Sequence, residues 1–119
     1  MIKPKALTSL SIFFPCYNEA DNVGTMIDQS VQVGEAYGID YEVLIIDDGS
    51  SDDSAQMVQQ RAKKNPRIRL VQHSKNMGYG AALRTGFKNV TKDLVFLTDG
   101  DNQFHLSEID KLFSKIDSC

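Results

Sequence analysis

Short apolar runs alternate with amphipathic stretches of helical length along almost the whole chain, and this alternation constrains the fold more than any other feature. The first run predicts a strand over residues 10–14, stopped by Pro15. A helix over 21–37 follows, with Val23, Met26, Ile27, Val31 and Val33 as its apolar stripe and Gly38 as its stop. The next run, 41–46, is almost continuously apolar, as expected of a strand covered on both faces. A second helix over 52–65 opens on Ser50, Ser51, Asp52 and Asp53, which offer capping hydroxyls and first-turn acids, and closes at Pro66. A strand over 68–72, a helix over 79–90, a strand over 94–98 and a helix over 106–116 complete the pattern. The expectation is an α/β domain with a mainly parallel, Rossmann-like sheet, spanning residues 1–119 as one unit.

In such a sheet ligands bind just beyond the carboxyl ends of the strands. Each predicted strand ends in polar residues there: Tyr17, Asn18 and Glu19 after the first, Asp47 to Ser50 after the second, His73 to Gly78 after the third, and Asp99 to Gln103 after the fourth. Topology alone brings these loops to one edge. Asp99 and Asp101, two apart, can reach one cation, and Gln103 adds a third oxygen. That all-oxygen set suits Mg²⁺ or Mn²⁺ holding a diphosphate; the bland alternative is a solvent-facing Asp-Gly turn.

Asp47 and Asp48 exceed what capping the second helix requires, so at least one is expected to accept hydrogen bonds from a ligand. Gly78, Gly80, Ala81 and Ala82 open the third helix in a way that lets backbone amides approach an anion, although such starts also serve close helix–sheet packing. Lys75 and Arg84 are the cations nearby. Asn18 or Glu19 is expected to cap the first helix, with Asn18 favoured, and His73 and His105 read as ordinary polar residues.

Bulk properties narrow the partners. A net charge of −3 and a pI near 5.2 argue against a nucleic-acid partner. Two cysteines, Cys16 and Cys119, make no disulfide framework and point to a reducing, cytoplasmic setting. No apolar run approaches the roughly 20 residues of a spanning helix.

Taken together, FPCYNEADNV (14–23), DDGSSDDS (47–54), NMGYGAALRTGF (76–87) and TDGDNQF (98–104) resemble family 2 glycosyltransferases of the GT-A fold. The resemblance is to the branch of dolichyl-phosphate mannose synthases and polyprenyl-phosphate glycosyltransferases. It implies that Pro15, Tyr17, Glu19 and Asp47 line a nucleoside pocket with Asp48 adjacent, and that Gly78 borders the sugar-nucleotide. It implies that Asp99, Asp101 and Gln103, matching an acid-x-acid-x-Gln pattern, bind Mg²⁺ or Mn²⁺ and the donor diphosphate. The implied reaction is metal-dependent transfer of a hexose from a UDP- or GDP-linked sugar, with inversion, to a lipid phosphate or glycan acceptor at the inner face of a membrane. Phe104, His105 and Leu106 depart from the branch, which often carries an acid or proline after the aromatic residue.

The chain also stops directly after a predicted helix with no finishing strand, so the expectation is the N-terminal part of a longer enzyme rather than a natural short relative. No residue of the chain clearly supplies a catalytic base. A phosphoacceptor receiver domain would need acids after its first strand and a lysine after a fifth, and a haloacid-dehalogenase-type phosphatase would need its acid pair on the first strand. A sugar-nucleotide pyrophosphorylase would show a basic Gly-rich loop near the N-terminus, which is absent. A non-catalytic nucleotide-sugar-binding or interaction module is the serious alternative.

Overall fold

The computed structural model describes residues 9–92 and 94–97. Its elements run β1 (Ser9–Cys16), α1 (Ala20–Tyr37), β2 (Asp40–Asp47), α2 (Ser54–Lys64), β3 (Ile68–Gln72), α3 (Tyr79–Asn89) and β4 (Leu94–Leu97). The strands form one sheet in the order β3-β2-β1-β4, and every pairing is parallel. The helix expected over 106–116 lies outside the described residues, as do the candidate metal ligands Asp99, Asp101 and Gln103.

Strand order and handedness together decide which face each helix covers. Going from β1 to β2 to β3 the chain steps in one direction, so right-handed crossovers put α1 and α2 on the same face. From β3 it returns past β2 and β1 to reach β4, and the same hand puts α3 on the opposite face. The period-two alternation of the strands then divides the core. Leu10, Ile12, Phe14, Tyr41, Val43 and Ile45 pack with Val23, Met26, Ile27 and Val33 of α1 and Val58 of α2. Phe13, Leu44 and Ile46 pack with Ala82, and partly buried Leu83 and Val90 join them. The direction of succession reverses after β3, so the loop entering α3 leaves the sheet toward the face opposite the loops entering α1 and α2.

Two boundaries differ from the sequence reading. Pro15 does not end β1, which continues to Cys16 with Pro15 paired opposite Ile46. Cys16 O accepts from Asp48 N–H at 2.8 Å, so the polar backbone groups of residue 16 face β2 and those of residue 15 face away from it. The missing N–H of Pro15 therefore costs the β1–β2 ladder no bond. Helix α2 starts at Ser54 rather than 52, with Asp53 at its N-cap making no side-chain cap bond. On α1, fully buried Ser30 takes the place expected of Val31, which lies on the flank of the stripe and is partly buried. The Ser30 hydroxyl donates to Met26 O at 2.8 Å, so its burial leaves no polar atom unpaired.

At the amino end of the sheet, remote from the strand carboxyl ends, Glu42 is a buried carboxylate with a full set of partners. It accepts from Ser11 Oγ at 2.6 Å, from Thr91 N–H at 2.8 Å and from the Thr91 hydroxyl at 3.1 Å. The Arg69 guanidinium completes the set. Glu42→Ala is expected to destabilise the fold by about 3 kcal/mol, because the buried Ser11 hydroxyl and the Thr91 amide lose their acceptor and the Arg69 guanidinium loses its carboxylate. Urea unfolding with an unchanged m-value is the check. A loss below about 1 kcal/mol would show that water satisfies these groups equally well.

Candidate functional site

A cleft of ≈ 370 Å³ opens at the carboxyl edge of the sheet, lined by the end of β1 and its loop (Pro15, Cys16, Tyr17, Glu19), by Asp48, and by the start of α3 with Asn76 before it (Gly78, Tyr79, Ala82). Of the sequence-derived donor-pocket residues, Pro15, Tyr17, Glu19, Asp48 and Gly78 come together here. Asp47 does not: it lines a separate hollow with Gly49, Ser50, Gln72, His73 and Ser74. Both acids are buried, at 2% and 4% exposure, but they serve different partners. Asp47 accepts from the Ser50 hydroxyl and, at 3.4 Å, from Ser50 N–H.

Asp48 bridges the second and third loops. Its Oδ1 accepts from Met77 N–H at 2.9 Å and its Oδ2 from Gly78 N–H at 3.0 Å. The ring of His73 contacts the same carboxylate, Nδ1 to Oδ1, at 2.7 Å, and its Nε2 lies 2.8 Å from the Thr85 hydroxyl on α3. Two amides at the glycine-rich start of α3, expected from sequence to face a bound anion, are thus engaged by a carboxylate of the protein itself. Burial favours the neutral acid, but the hydrogen bonds from His73, Met77 and Gly78 outweigh it and hold Asp48 below the usual carboxylate range. Glu42 is likewise held low, burial being outweighed by its bonds with Ser11, Arg69 and Thr91.

Groups depressed in the folded state contribute stability that is present above their unfolded pKa and is lost as pH falls through the folded value. The urea midpoint is therefore expected to be flat above about pH 5 and to fall steadily below about pH 4. A midpoint independent of pH down to about pH 3 would contradict these assignments.

The first and second loops are stitched together by side chains, and here sequence reasoning assigned the wrong partners. Of the two residues expected to cap α1, Glu19 occupies the N-cap position, without a side-chain cap bond, and Asn18 does not cap the helix. It sits at φ 52°, in the left-handed region that asparagine tolerates, and its Oδ1 accepts from Ser51 N–H at 2.8 Å and Asp52 N–H at 3.3 Å. The free N–H groups at the start of α1 are met from the second loop instead, Glu19 N–H by the Ser54 hydroxyl at 2.9 Å and Ala20 N–H by Asp52 Oδ2 at 3.2 Å. Ser50 and Ser51 accordingly face the first loop rather than capping α2. His73 was read as an ordinary polar residue. The sequence signal that singles it out is its place at the end of an apolar strand, on the edge where the acids gather.

Among the described residues, the cleft is lined by two carboxylates, Glu19 and Asp48, and by no lysine or arginine. Tyr17 and Tyr79 are 46% and 55% exposed, so each presents an accessible ring. Lys75 and Arg84 are exposed and are not among the lining residues. Cys16 forms part of the wall, and burial, reinforced by the Asp47 carboxylate and only partly offset by a hydrogen bond with Ser54, pushes its thiol up to about 11. At neutral pH it is a protonated, apolar lining group and not a nucleophile. Such a cleft suits a planar, hydroxyl-bearing and N–H-bearing group that stacks and donates, such as a nucleoside; a diphosphate beside it needs a cation from elsewhere.

A parallel α/β sheet with helices on both faces and this cleft at its carboxyl edge places the described residues in the doubly wound α/β class. Comparison with known proteins carries the assignment further. The sequence model described as "Glycosyl transferase family 2" matches residues 11–118, and the chain belongs to that family. It is 37% identical over 118 residues to an undecaprenyl-phosphate 4-deoxy-4-formamido-L-arabinose transferase of Enterobacter sp. (strain 638), covering 98% of this chain and 36% of that protein. Among solved structures, a Pyrobaculum calidifontis mannosyltransferase, PcManGT, in complex with GDP-Man and Mn²⁺ superposes with a TM-score of 0.71 at 26% identity, over 83% of this chain and 29% of that one. Glucosyl-3-phosphoglycerate synthase from Mycobacterium tuberculosis, in complex with Mn²⁺, UDP and phosphoglyceric acid, shares the fold with a TM-score of 0.71 at 23% identity, over 93% and 39% of the two chains. The chain thus spans little more than a third of the curated relative.

No helix among the described residues is long and apolar enough to cross a membrane, and no cluster of three metal-ligating side chains occurs among them.

Proposed function

We propose that residues 1–119 form the donor-nucleotide-binding part of a glycosyltransferase that moves a sugar, with inversion, from a UDP- or GDP-linked donor to an acceptor. The observation that carries this reading is the cleft itself. Its exposed tyrosines and its two carboxylates suit a nucleoside, with Pro15, Tyr17, Glu19, Asp48 and Gly78 as its wall. Asp47 then acts from behind, through Ser50 and the second loop, rather than on the nucleoside directly.

A cleft of that charge accepts a diphosphate only with a compensating cation. Asp99, Asp101 and Gln103, which follow β4 in sequence, supply two carboxylates and an amide oxygen, a hard donor set that fits Mg²⁺ or Mn²⁺. A divalent ion bound there would neutralise charge developing on the leaving diphosphate. The chain's own residues hold the base and ribose in place beside it.

The acceptor we favour is a polyprenyl phosphate. The relative from Enterobacter is named for transfer to undecaprenyl phosphate, and a phosphate is already anionic at neutral pH, so no general base is required. An acceptor of that kind places the whole enzyme at a membrane surface. The expectation of a hexose is relaxed to a sugar, because the same relative is named for an arabinose derivative.

Calorimetric titration with UDP, GDP, UDP-glucose and GDP-mannose, with Mn²⁺ and then with chelator, tests the reading. Metal-dependent binding of one nucleotide is the expected result and identifies the base. Binding of none, repeated on a longer chain of the same protein, would leave a non-catalytic interaction module as the better description.

A further inference from the structure

We propose that His73, backed by Thr85, is a positioning residue that sets the width of the donor cleft without touching the donor; the inference rests on the donor-site reading above. Neither residue is among those lining the cleft, yet His73 holds Asp48, which is, and Thr85 holds His73. Among the described residues Asp48 has no lysine or arginine partner, and its carboxylate is held by two backbone amides and the His73 ring. A carboxylate only accepts, so Nδ1 of His73 carries the proton toward Asp48. Nε2 lies 2.8 Å from the Thr85 hydroxyl, which serves as donor or acceptor as the ring requires.

Asp48 thereby selects the tautomer, and the chain from Thr85 through His73 to Asp48 ties the body of α3 to the end of β2. Met77 and Gly78, whose amides Asp48 also holds, end the loop between β3 and α3. Gly78 at φ 100° presents one wall of the cleft. The ring of His73 is 10% exposed, so water does not readily replace it. Loss of its N–H frees Asp48 to turn and lets the start of α3 move away from Tyr17 and Glu19.

The test separates the Nδ1 contact from simple filling of space. In asparagine the side-chain N–H₂ occupies the place of Nδ1, whereas in glutamine it occupies that of Nε2. His73→Asn is expected to bind UDP or GDP with Mn²⁺ within about threefold of the wild type, and His73→Ala and His73→Gln about tenfold or more weakly. Hydrogen exchange read residue by residue should accelerate about tenfold at Met77 and Gly78 in the Ala and Gln variants, while core strand amides such as Ile45 stay unchanged. Where His73→Ala fails to fold, Thr85→Val removes only the hydroxyl behind the ring, and a smaller acceleration at the same two amides is expected.

Wild-type exchange at Met77 and Gly78 in His73→Ala, or an Asn variant no better than Ala, would overturn the proposal. Failure of the wild type to bind either nucleotide would count against the donor-site reading alone, because the exchange measurement decides the positioning role by itself.

Discussion

Gly49→Ala is expected to lower the melting temperature by about 10 °C, the largest single-residue effect on stability that the site region predicts. Gly49 sits at φ 75° in the second loop, and a Cβ there would lie 2.4 Å from the carbonyl carbon of Lys75 and 2.5 Å from Asn76 N. These are backbone atoms of the third loop, so no side chain can swing aside. The left-handed conformation costs alanine about 1 kcal/mol and the overlap about 2 more. Relief of the overlap would push the third loop outward and pull the Met77 and Gly78 amides from Asp48, so nucleotide affinity should fall as well. Gly38→Ala is the control, because Gly38 has φ 62° with nothing within 4 Å of its Cβ position. It should show the conformational cost alone. Thermal unfolding followed by circular dichroism gives both values, and equal losses for the two variants would mean that the second and third loops do not press on each other.

Asp101→Ala is expected to abolish the metal-dependent part of nucleotide binding, a loss of about a hundredfold or more in affinity with Mn²⁺ present. Asp101 lies outside the described residues. The prediction stands on the acid-x-acid-x-Gln spacing directly after β4 and on the lack of a lysine or arginine among the described residues that line the cleft. In chelator, variant and wild type should bind equally weakly, since nothing then bridges diphosphate to protein. Affinity unchanged in Mn²⁺ would sink the metal assignment while leaving the nucleoside reading of the cleft intact.

Much of the architecture is legible without coordinates because it depends on neighbours in sequence. The near-continuous apolar run of β2 reports a strand buried on both faces, and all but its first residue are buried. Gly38 stops α1 in the left-handed conformation expected of it. Pro15 misled because a proline interrupts a strand only where its N–H would be used, and which flank is used depends on the partner strands. The start of α2 misled for a similar reason. Ser50 and Ser51 have the chemistry of caps, but Asn18, more than 30 residues earlier, competes for the same loop and wins because β1 and β2 are adjacent.

The candidate site divides along the same line. Sequence placed Pro15, Tyr17, Glu19, Asp48 and Gly78 at one edge, because each follows a strand of a parallel sheet and that edge is where such residues converge. Sequence could not divide labour between Asp47 and Asp48, which differ by one position and so face opposite ways at the end of a strand. Nor could it pair His73 with Asp48, 25 residues away, or with Thr85 on the other side of the loop. Periodicity, turn chemistry and strand-end polarity act over a few residues and are written directly in the chain. The partner of a buried carboxylate is settled only when the strand order 3-2-1-4 and the hand of the crossovers bring distant loops within hydrogen-bonding distance.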